Sequence, residues 1–397
     1  MIFPAELHEW LAIGDLSRLT RRLLDVCESA TAPDDLLQDA LALRKAYNSF
    51  AILPASAAAE AEKNALQAQA AIVVARVVVW MTGNAPAAAP PARIMFQGTG
   101  ITKHFHTPKY HFALPQMDVT LRAGEITGIV GENGNGKTTL LRIIAGDLAA
   151  DGGELRYPEI LPTGWDWYKI RQQIGYISQH IQPWNGYLRE NLAFSAAVHG
   201  IRGRANERAV DFIIQRLGLT RYAEAMWSEI SGGYKLRFEL ARALVWRPRL
   251  LVIDEPMAHL DINTQQLFLQ DLRYLADSPN FPLAIALSSQ HLHEVERISD
   301  NIIFIKNGEA LYNGKMQEFA ADRTENLYEL HTPADLAQLQ RVFAEMPNIT
   351  FEASPAAILL RTPTHVASFH LLEILARHQI TITYFRDIST STSRLFR

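Results

Sequence analysis

The run Ile126-Thr127-Gly128-Ile129-Val130 leads into Gly131-Glu132-Asn133-Gly134-Asn135-Gly136-Lys137-Thr138, and Thr139-Leu140-Leu141-Arg142-Ile143-Ile144 follows. The first run suits a strand and the last run suits a helix. The glycines between them let successive backbone N–H groups turn inward and bind phosphate oxygens at a helix N-terminus. Lys137 would then reach the β- and γ-phosphates, and Thr138 would ligate Mg²⁺. The stretch therefore predicts a nucleotide-binding phosphate loop.

A second motif consists of an apolar run that ends in two carboxylates. Leu250-Leu251-Val252-Ile253 suits a strand buried on both faces of a parallel sheet, and Asp254 and Glu255 follow it. Carboxylates at such a position are costly unless they have a function. We expect Asp254 to hold Mg²⁺ through water and Glu255 to orient and deprotonate the attacking water. The motif is a weak signal alone, but behind a phosphate loop it indicates ATP hydrolysis.

A third motif, Ser231-Gly232-Gly233, lies between the first two and runs into a helical stretch that starts at Tyr234. A serine and glycines at a helix N-terminus form either an anion site or an ordinary N-cap. In isolation these residues favour the N-cap.

The order and spacing of these motifs resemble the nucleotide-binding domain of ATP-binding cassette (ABC) proteins, over about residues 94–314. In that family the first motif is called Walker A, the second is Walker B, and the third is the signature motif. The resemblance adds Gln179 of the Q-loop, which contacts Mg²⁺ and follows movement of the helical subdomain. It also adds Asp261 of the D-loop (258–261), His291 as the γ-phosphate sensor of the switch region (288–291), and Phe105 as the aromatic that stacks on adenine, although Tyr110 lies nearby.

The resemblance thus assigns a complete site. The implied catalytic residues are Glu255, His291 and Lys137; the implied metal ligands are Thr138, Gln179 and Asp254; and the implied ATP-binding residues are Phe105, Gly131, Glu132, Asn133, Gly134, Asn135, Gly136, Lys137, Thr138, Thr139, Gln179, Ser231, Gly232, Gly233 and Asp261. Two positions depart from the family: Tyr234 replaces a common glutamine, and Gln290 replaces a threonine or serine. Neither removes a catalytic residue.

The family acts as a dimer in which ATP lies between the Walker A motif of one cassette and the signature loop of the other. One cassette in this chain therefore implies a homodimer or a partner cassette, with ATP and Mg²⁺ bound between them. The favoured hypothesis is the ATP-binding subunit of an ABC transporter whose permease is a separate chain. The alternative is a soluble ATP-gated switch that recruits a partner through its N-terminus. A translation or DNA-repair cassette is disfavoured, because neither a second cassette nor a long coiled coil is seen.

Four regions are expected along the chain. Apolar stripes at helical spacing predict a helical bundle over 1–83, and prolines make 84–92 a linker. An α/β pattern over 93–324 forms the cassette, with a helical subdomain at about 165–245. The order β-α-β-β-α-β predicts a ferredoxin-like α+β domain over 325–397, with a first helix at 333–346 and a last strand at 380–385. This last region is similar to domains appended to some export-type cassettes, and Leu11 to Asn48 resembles effector-associated domains of bacterial conflict proteins.

Net charge, cysteine content and the length of apolar runs limit where the protein is expected to be located and what it is expected to bind. The 397 residues include 38 basic and 42 acidic side chains, so no global positive charge predicts nucleic-acid binding. The one cysteine, Cys27, excludes an intrachain disulfide and is expected to pack as a small apolar residue. No secretory signal is seen, and the longest apolar run, 70–81, is interrupted by Arg76 and is shorter than the roughly 20 residues of a membrane helix. We therefore expect a cytoplasmic protein that lies at the inner face of a membrane through a permease.

Overall fold

The computed structural model describes residues 3–28, 32–54, 56–84, 93–107, 110–257, 260–290, 295–319, 325–344, 346, 348–353 and 357–389. Its first part forms four helices: Phe3–Ile13 (α1), Leu16–Cys27 (α2), Asp34–Phe50 (α3) and Ala57–Gly83 (α4). Gly14, at φ +73°, ends α1 in the left-handed conformation. The Asp15 carboxylate caps α2 by accepting a hydrogen bond of 3.0 Å from the backbone N–H of Arg18. The predicted N-terminal helices are confirmed; residues 85–92 of the predicted linker lie outside the described residues.

The four helices enclose an apolar core of their own, which includes Leu7, Leu19, Leu23, Leu43, Ala70, Val74 and Val77. Cys27 lies in this core, as predicted. Burial raises the pKa of its thiol to about 12, so the side chain stays protonated and acts as a packing group.

Helix α4 has an exposed apolar face that the sequence reading did not anticipate. Among the described residues it is the one helix whose length and mean hydropathy, 1.5 over its most apolar window, suit a membrane crossing. Arg76, the charge that interrupts its apolar run, pairs at the surface with Asp35 (2.6 Å) and with Asp39. Ile72 and Val79 are 65% and 71% exposed on α4.

The cassette contains two sheets and a group of helices. Its strands are Ile94–Thr107 (β1), Tyr110–Arg122 (β2), Ile126–Val130 (β3), Gly152–Arg156 (β4), Ile174–Ile177 (β5), Leu250–Ile253 (β6), Ala284–Ser289 (β7), Asn301–Lys306 (β8) and Glu309–Lys315 (β9). Its helices are Lys137–Ile144 (α5), Trp167–Arg171 (α6), Leu188–Val198 (α7), Arg204–Arg216 (α8), Gly232–Leu244 (α9) and Ile262–Ala276 (α10).

The central sheet has the strand order β5-β6-β7-β3-β8-β9, parallel except for β9. The antiparallel sheet β2-β1-β4 lies beside it. Strands β3 and β6 are buried along their whole length, as their apolar runs predict. Because the parallel strands all end at one edge, the segments after β3, β5, β6 and β7 meet there, and that edge carries the predicted motifs.

Helices α7, α8 and α9 form the helical subdomain. They share an apolar core that includes Leu192, Ile214, Leu236 and Leu240. The range expected for this subdomain also takes in β5, which pairs in parallel with β6 and so belongs to the central sheet. Gln179 follows β5 directly and therefore lies where the chain leaves the sheet for these helices.

The C-terminal region forms a sheet covered by two helices. Its elements are Glu325–His331 (β10), Leu336–Val342 (α11), Thr350–Ala353 (β11), Ile358–Pro363 (β12), Ser368–Arg377 (α12) and Tyr384–Asp387 (β13). All neighbours in the order β11-β12-β10-β13 are antiparallel. This is the split β-α-β arrangement, and the predicted ferredoxin-like topology is confirmed. Residues 354–356, between β11 and β12, and residues 390–397 lie outside the described part of the chain.

Two boundaries in this region differ from prediction. Helix α11 begins only after Asp335, whose carboxylate caps it by accepting a 2.7 Å hydrogen bond from the N–H of Gln338. The last strand begins at Tyr384 and not at Ile380. The Ile380 N–H donates to the carbonyl of Leu375 (2.9 Å), and Gln379 has φ +54°. Ile380 therefore closes the end of α12 as an apolar helix cap and is not available to a strand.

Candidate functional site

The phosphate loop connects β3 to α5 and is held in place by its neighbours. The Asn135 side chain accepts a hydrogen bond from the N–H of Asn307 (3.0 Å) and donates to the carbonyl of Ile305 (3.4 Å). A Cβ atom on Gly131 would lie 2.2 Å from that same carbonyl oxygen. Asn135 and Gly131 therefore fix the loop against the end of β8, so the side chain of Asn135 positions the loop and is not turned toward a ligand.

Lys137 is buried and fully engaged at the first turn of α5. Its ammonium donates to the carbonyls of Gly131 (2.8 Å) and Glu132 (3.0 Å). It also forms a salt bridge of 2.9 Å with the Glu255 carboxylate, and both side chains are about 95% buried, at 4% and 6% exposure. The structure thus brings the predicted phosphate-binding lysine and the predicted base into direct contact.

Glu255 sits just after β6 in a left-handed backbone conformation, at φ +43°. One carboxylate oxygen contacts Lys137; the other accepts hydrogen bonds from the side-chain amides of Gln179 (3.1 Å) and Gln290 (2.6 Å). Gln290, which the sequence reading noted only as a departure from the family, therefore contacts the predicted base directly. A strained conformation held by surrounding hydrogen bonds is common at functional sites.

Asp254 is buried beside Glu255 and is oriented by β7. Its carboxylate accepts a 2.7 Å hydrogen bond from the hydroxyl of Ser288, which itself accepts one of 2.9 Å from the N–H of Glu255. Ser288 therefore fixes both carboxylate residues. The sequence offered one signal for it, its place at the start of the switch region.

These side chains surround a cavity of about 520 Å³. It is lined by Phe105, Phe112, Asn133, Gly134, Gly136, Lys137, Thr138, Thr139, Gln179 and Glu255. The rings of Phe105 and Phe112 are 6.4 Å apart at one side of it. Phe112 was missed from the sequence because an aromatic residue in a strand is ordinarily a core residue. The volume is that of a small-molecule site, with aromatic residues beside a phosphate-binding loop.

The predicted signature residues are not among those that line this cavity. Ser231 precedes α9, and both it and Gly232 are exposed. A Cβ atom on Gly233 would lie 2.6 Å from the side chain of Thr264, whose hydroxyl donates to Asp261 at 2.6 Å. Gly233 and Asp261 thus both contact Thr264, and neither lines the cavity of the phosphate loop of the same chain. His291 and residues 258–259 lie outside the described residues.

Known proteins resemble this chain in sequence. Residues 114–258 match the family described as ABC transporter. The uncharacterized ABC transporter ATP-binding protein YxlF of Bacillus subtilis is 26% identical over 291 residues, 72% of this chain and 94% of that protein. The methionine import ATP-binding protein MetN 2 of Listeria monocytogenes is 33% identical over 206 residues, so the match spans 51% of this chain and only 60% of that relative.

Among solved structures, the chain resembles the dimeric ATP-binding cassette MJ0796 in a post-hydrolysis state bound to ADP and Pi, with a TM-score of 0.50 at 23% identity. The likeness covers 56% of this chain and 98% of that cassette, and it supports the fold.

Proposed function

Because the chain belongs to the ATP-binding cassette family of ABC transporters, we propose that it is the ATP-binding subunit of a transporter and works as a dimer with a separate membrane permease. The observation that carries the proposal is the convergence of Lys137, Gln179 and Glu255 on the cavity of the phosphate loop. Each of these side chains comes from a different segment at the same edge of the sheet.

The donor set at this edge fits a magnesium ion. Thr138 and Gln179 line the cavity, and Asp254, held by Ser288, precedes Glu255 in the chain, so this edge offers the hydroxyl, amide and carboxylate oxygens that Mg²⁺ prefers. These three residues would hold the ion. Bound there, Mg²⁺ would neutralise charge on the ATP phosphates.

Hydrolysis requires the Lys137–Glu255 pair to separate. The β- and γ-phosphates of ATP attract the Lys137 ammonium and so release one Glu255 oxygen. Glu255 then takes a proton from a water molecule whose oxygen attacks the γ-phosphorus, while the bond between that phosphorus and the β-γ bridging oxygen breaks and ADP leaves. Backbone N–H groups of the loop and Lys137 stabilise the developing negative charge.

The exposed signature loop supports the dimer part of the proposal. Ser231 and Gly232 present a helix N-terminus to solvent, which is suited to bind a phosphate supplied from another chain. The dimeric cassette MJ0796 is bound to ADP and Pi. We therefore infer that each nucleotide lies between the phosphate loop of one copy and Ser231 to Gly233 of another.

A surface beside Gln179 supports coupling to a permease. The segment after Gln179 lines a groove of about 200 Å³ with Ile181, Pro183 and Trp184, and Glu239 of α9 accepts a 2.7 Å hydrogen bond from the Trp184 indole. On α7 of the same helical subdomain, Phe194 is 71% exposed. A membrane subunit that contacts this groove would move Gln179, and with it a hydrogen bond to Glu255.

The experiment is co-expression of the chain with a candidate permease, a polytopic membrane protein to be sought among the genes that flank this one. We expect the two to copurify and the membrane protein to raise ATP hydrolysis. Phe194→Ala should abolish that increase, while Phe369→Ala, which removes a 60% exposed ring from α12, should leave it intact. Absence of a complex, together with equal rates with and without the membrane protein, would reject the transporter role.

The second candidate is a soluble ATP-gated switch, which the close packing of the N-terminal helices on the cassette favours. In that case a soluble partner, and not a membrane protein, should alter ATP hydrolysis. The full chain is the proper bait, because α2 and α3 bury charged side chains against the cassette that residues 1–83 alone would expose. Recovery of its own chain alone would count against this candidate.

A further inference from the structure

The N-terminal helices contact the helical subdomain at the end of α8. Arg44 of α3 donates to the carbonyls of Gln215 (3.1 Å) and Arg216 (3.2 Å), and Asn48 donates to the Gln215 carbonyl (3.0 Å). Arg44 is only 1% exposed. Cationic and amide donors thus bond to carbonyls at the C-terminus of α8, where the helix dipole favours positive charge.

The same helices contact the core of the cassette on a second side. Asn280, after α10, donates to the carbonyls of Asp25 (2.8 Å) and Val26 (3.0 Å) at the end of α2. Arg22 donates to the carbonyl of Asp277 (2.9 Å). The bundle is therefore bonded both to the helical subdomain and to the core.

Buried ion pairs join these two contacts. Asp25 forms two hydrogen bonds with the Arg216 guanidinium (2.7 and 2.8 Å). Asp271 of α10, which is fully buried, lies 3.3 Å from Arg21 of the bundle and 3.6 Å from Arg237 of α9. One core carboxylate thus holds a cation from the bundle and a cation from the helix that begins at the signature loop.

Separating such pairs leaves buried charges without partners, which costs far more than the pairs contribute when intact. The network therefore resists any change in the orientation of α8 and α9 relative to α10. In the arrangement that it holds, both oxygens of Glu255 are occupied, one of them by Gln179 on the segment that leads into the helical subdomain.

We propose that the N-terminal bundle is an intramolecular brake: by binding α8 and α10 at once it holds the helical subdomain and the core in the resting arrangement, and its release raises ATP hydrolysis. The inference rests on the proposed function in one respect, that turnover requires movement of the helical subdomain. It concerns the chain without its permease.

The test uses the full chain and releases one contact at a time. Asn48→Ala loosens the bundle from α8, and Asn280→Ala loosens it from the core; neither residue lines the nucleotide cavity. Arg76→Ala is the matched control, because Arg76 pairs only within the bundle surface, with Asp35 and Asp39. Asn48→Leu, which keeps a similar size and loses the donor without adding a charge, checks that the effect is due to the hydrogen bond.

Each contact variant should raise the basal ATPase rate by at most roughly 25-fold, about fivefold for each of the two hydrogen bonds that the asparagine donates. Freeing either end already releases the bundle, so the double variant should fall short of the product of the two single effects. Asn280→Ala should also speed amide exchange at the end of α8, which it does not touch. The control should match the wild type in both measurements.

Unchanged or reduced rates in both contact variants, with the thermal midpoint preserved, would overturn the brake. If the rate increase in the double variant equals the product of the two single increases, the bundle does not couple the two contacts, and that part of the proposal is wrong. Amide hydrogen exchange at the end of α8 tests this coupling between the two contacts even in a chain that does not hydrolyse ATP. Failure of the transporter role would appear instead as indifference to a permease, which is measured separately.

Discussion

Replacement of Glu28 by glutamine should change how the stability of the chain depends on pH. Glu28 follows α2 and pairs with Arg247 across the contact between the bundle and the core. Burial raises the pKa of its carboxyl from 4.5 to about 7; Arg247 and Arg216 lower it and Asp25 raises it. Between these pH values the folded chain keeps a proton that the unfolded chain releases. The contribution of protonated Glu28 to the free energy of unfolding is therefore complete below about pH 4.5 and is lost as pH rises through about 7.

The magnitude follows from the two pKa values. The interval from 4.5 to about 7 corresponds to about 3 kcal/mol, and this is an upper value because the side chain retains 14% exposure. Urea unfolding at pH 5 and pH 8 measures it. Glu28→Gln should resemble the wild type at pH 5 and exceed its stability at pH 8 by up to that amount.

Glu60→Gln serves as the control, because the Glu60 side chain is 66% exposed and its carboxylate pairs, within the described part of the chain, with Lys63 of its own helix. It should show no such crossover. A stability difference between Glu28→Gln and the wild type that is independent of pH, or a variant less stable at pH 8, would refute the assigned burial of this carboxyl.

Three further predictions concern the nucleotide site. Glu255→Gln should still bind ATP and trap the closed dimer while phosphate release falls by about 10²- to 10⁴-fold; release at the wild-type rate would show that another group is the base. Lys137→Ala should weaken ATP binding by about 10- to 100-fold in calorimetry, since a charged phosphate contact is lost, and unchanged affinity would contradict its role. Gly131→Ala should lower thermal stability by about 1–3 kcal/mol and impair ATP binding, because its Cβ would lie 2.2 Å from the Ile305 oxygen; a neutral result would mean that the loop is not fixed there.

The phosphate loop and the strand that ends at Asp254 could be predicted because their chemistry is local. A glycine-rich turn between a strand and a helix, or a buried strand that ends in carboxylates, needs only neighbouring residues to be recognised. The same holds for Asp15 and Gly14, which cap helices within a few residues. The topology of the C-terminal domain also followed from the order of its elements.

The contacts between distant segments could not be predicted in this way. Arg21 and Arg44 look in sequence like ordinary helix-surface charges, yet they are buried because their partners, Asp271 and the carbonyls at the end of α8, come from distant parts of the sequence. Gln290 likewise looks in sequence like a tolerated substitution, although its side-chain amide donates a hydrogen bond to the Glu255 carboxylate. No local pattern marks such residues, since burial and pairing depend on the tertiary packing.

The Lys137–Glu255 pair has a consequence for the time between two turnovers. Because each of these buried charges neutralises the other, the pocket needs no phosphate to balance its charge. Departure of ADP therefore leaves the loop in shape and ready for the next nucleotide. The site can empty completely without local unfolding, and the cycle restarts from a formed pocket.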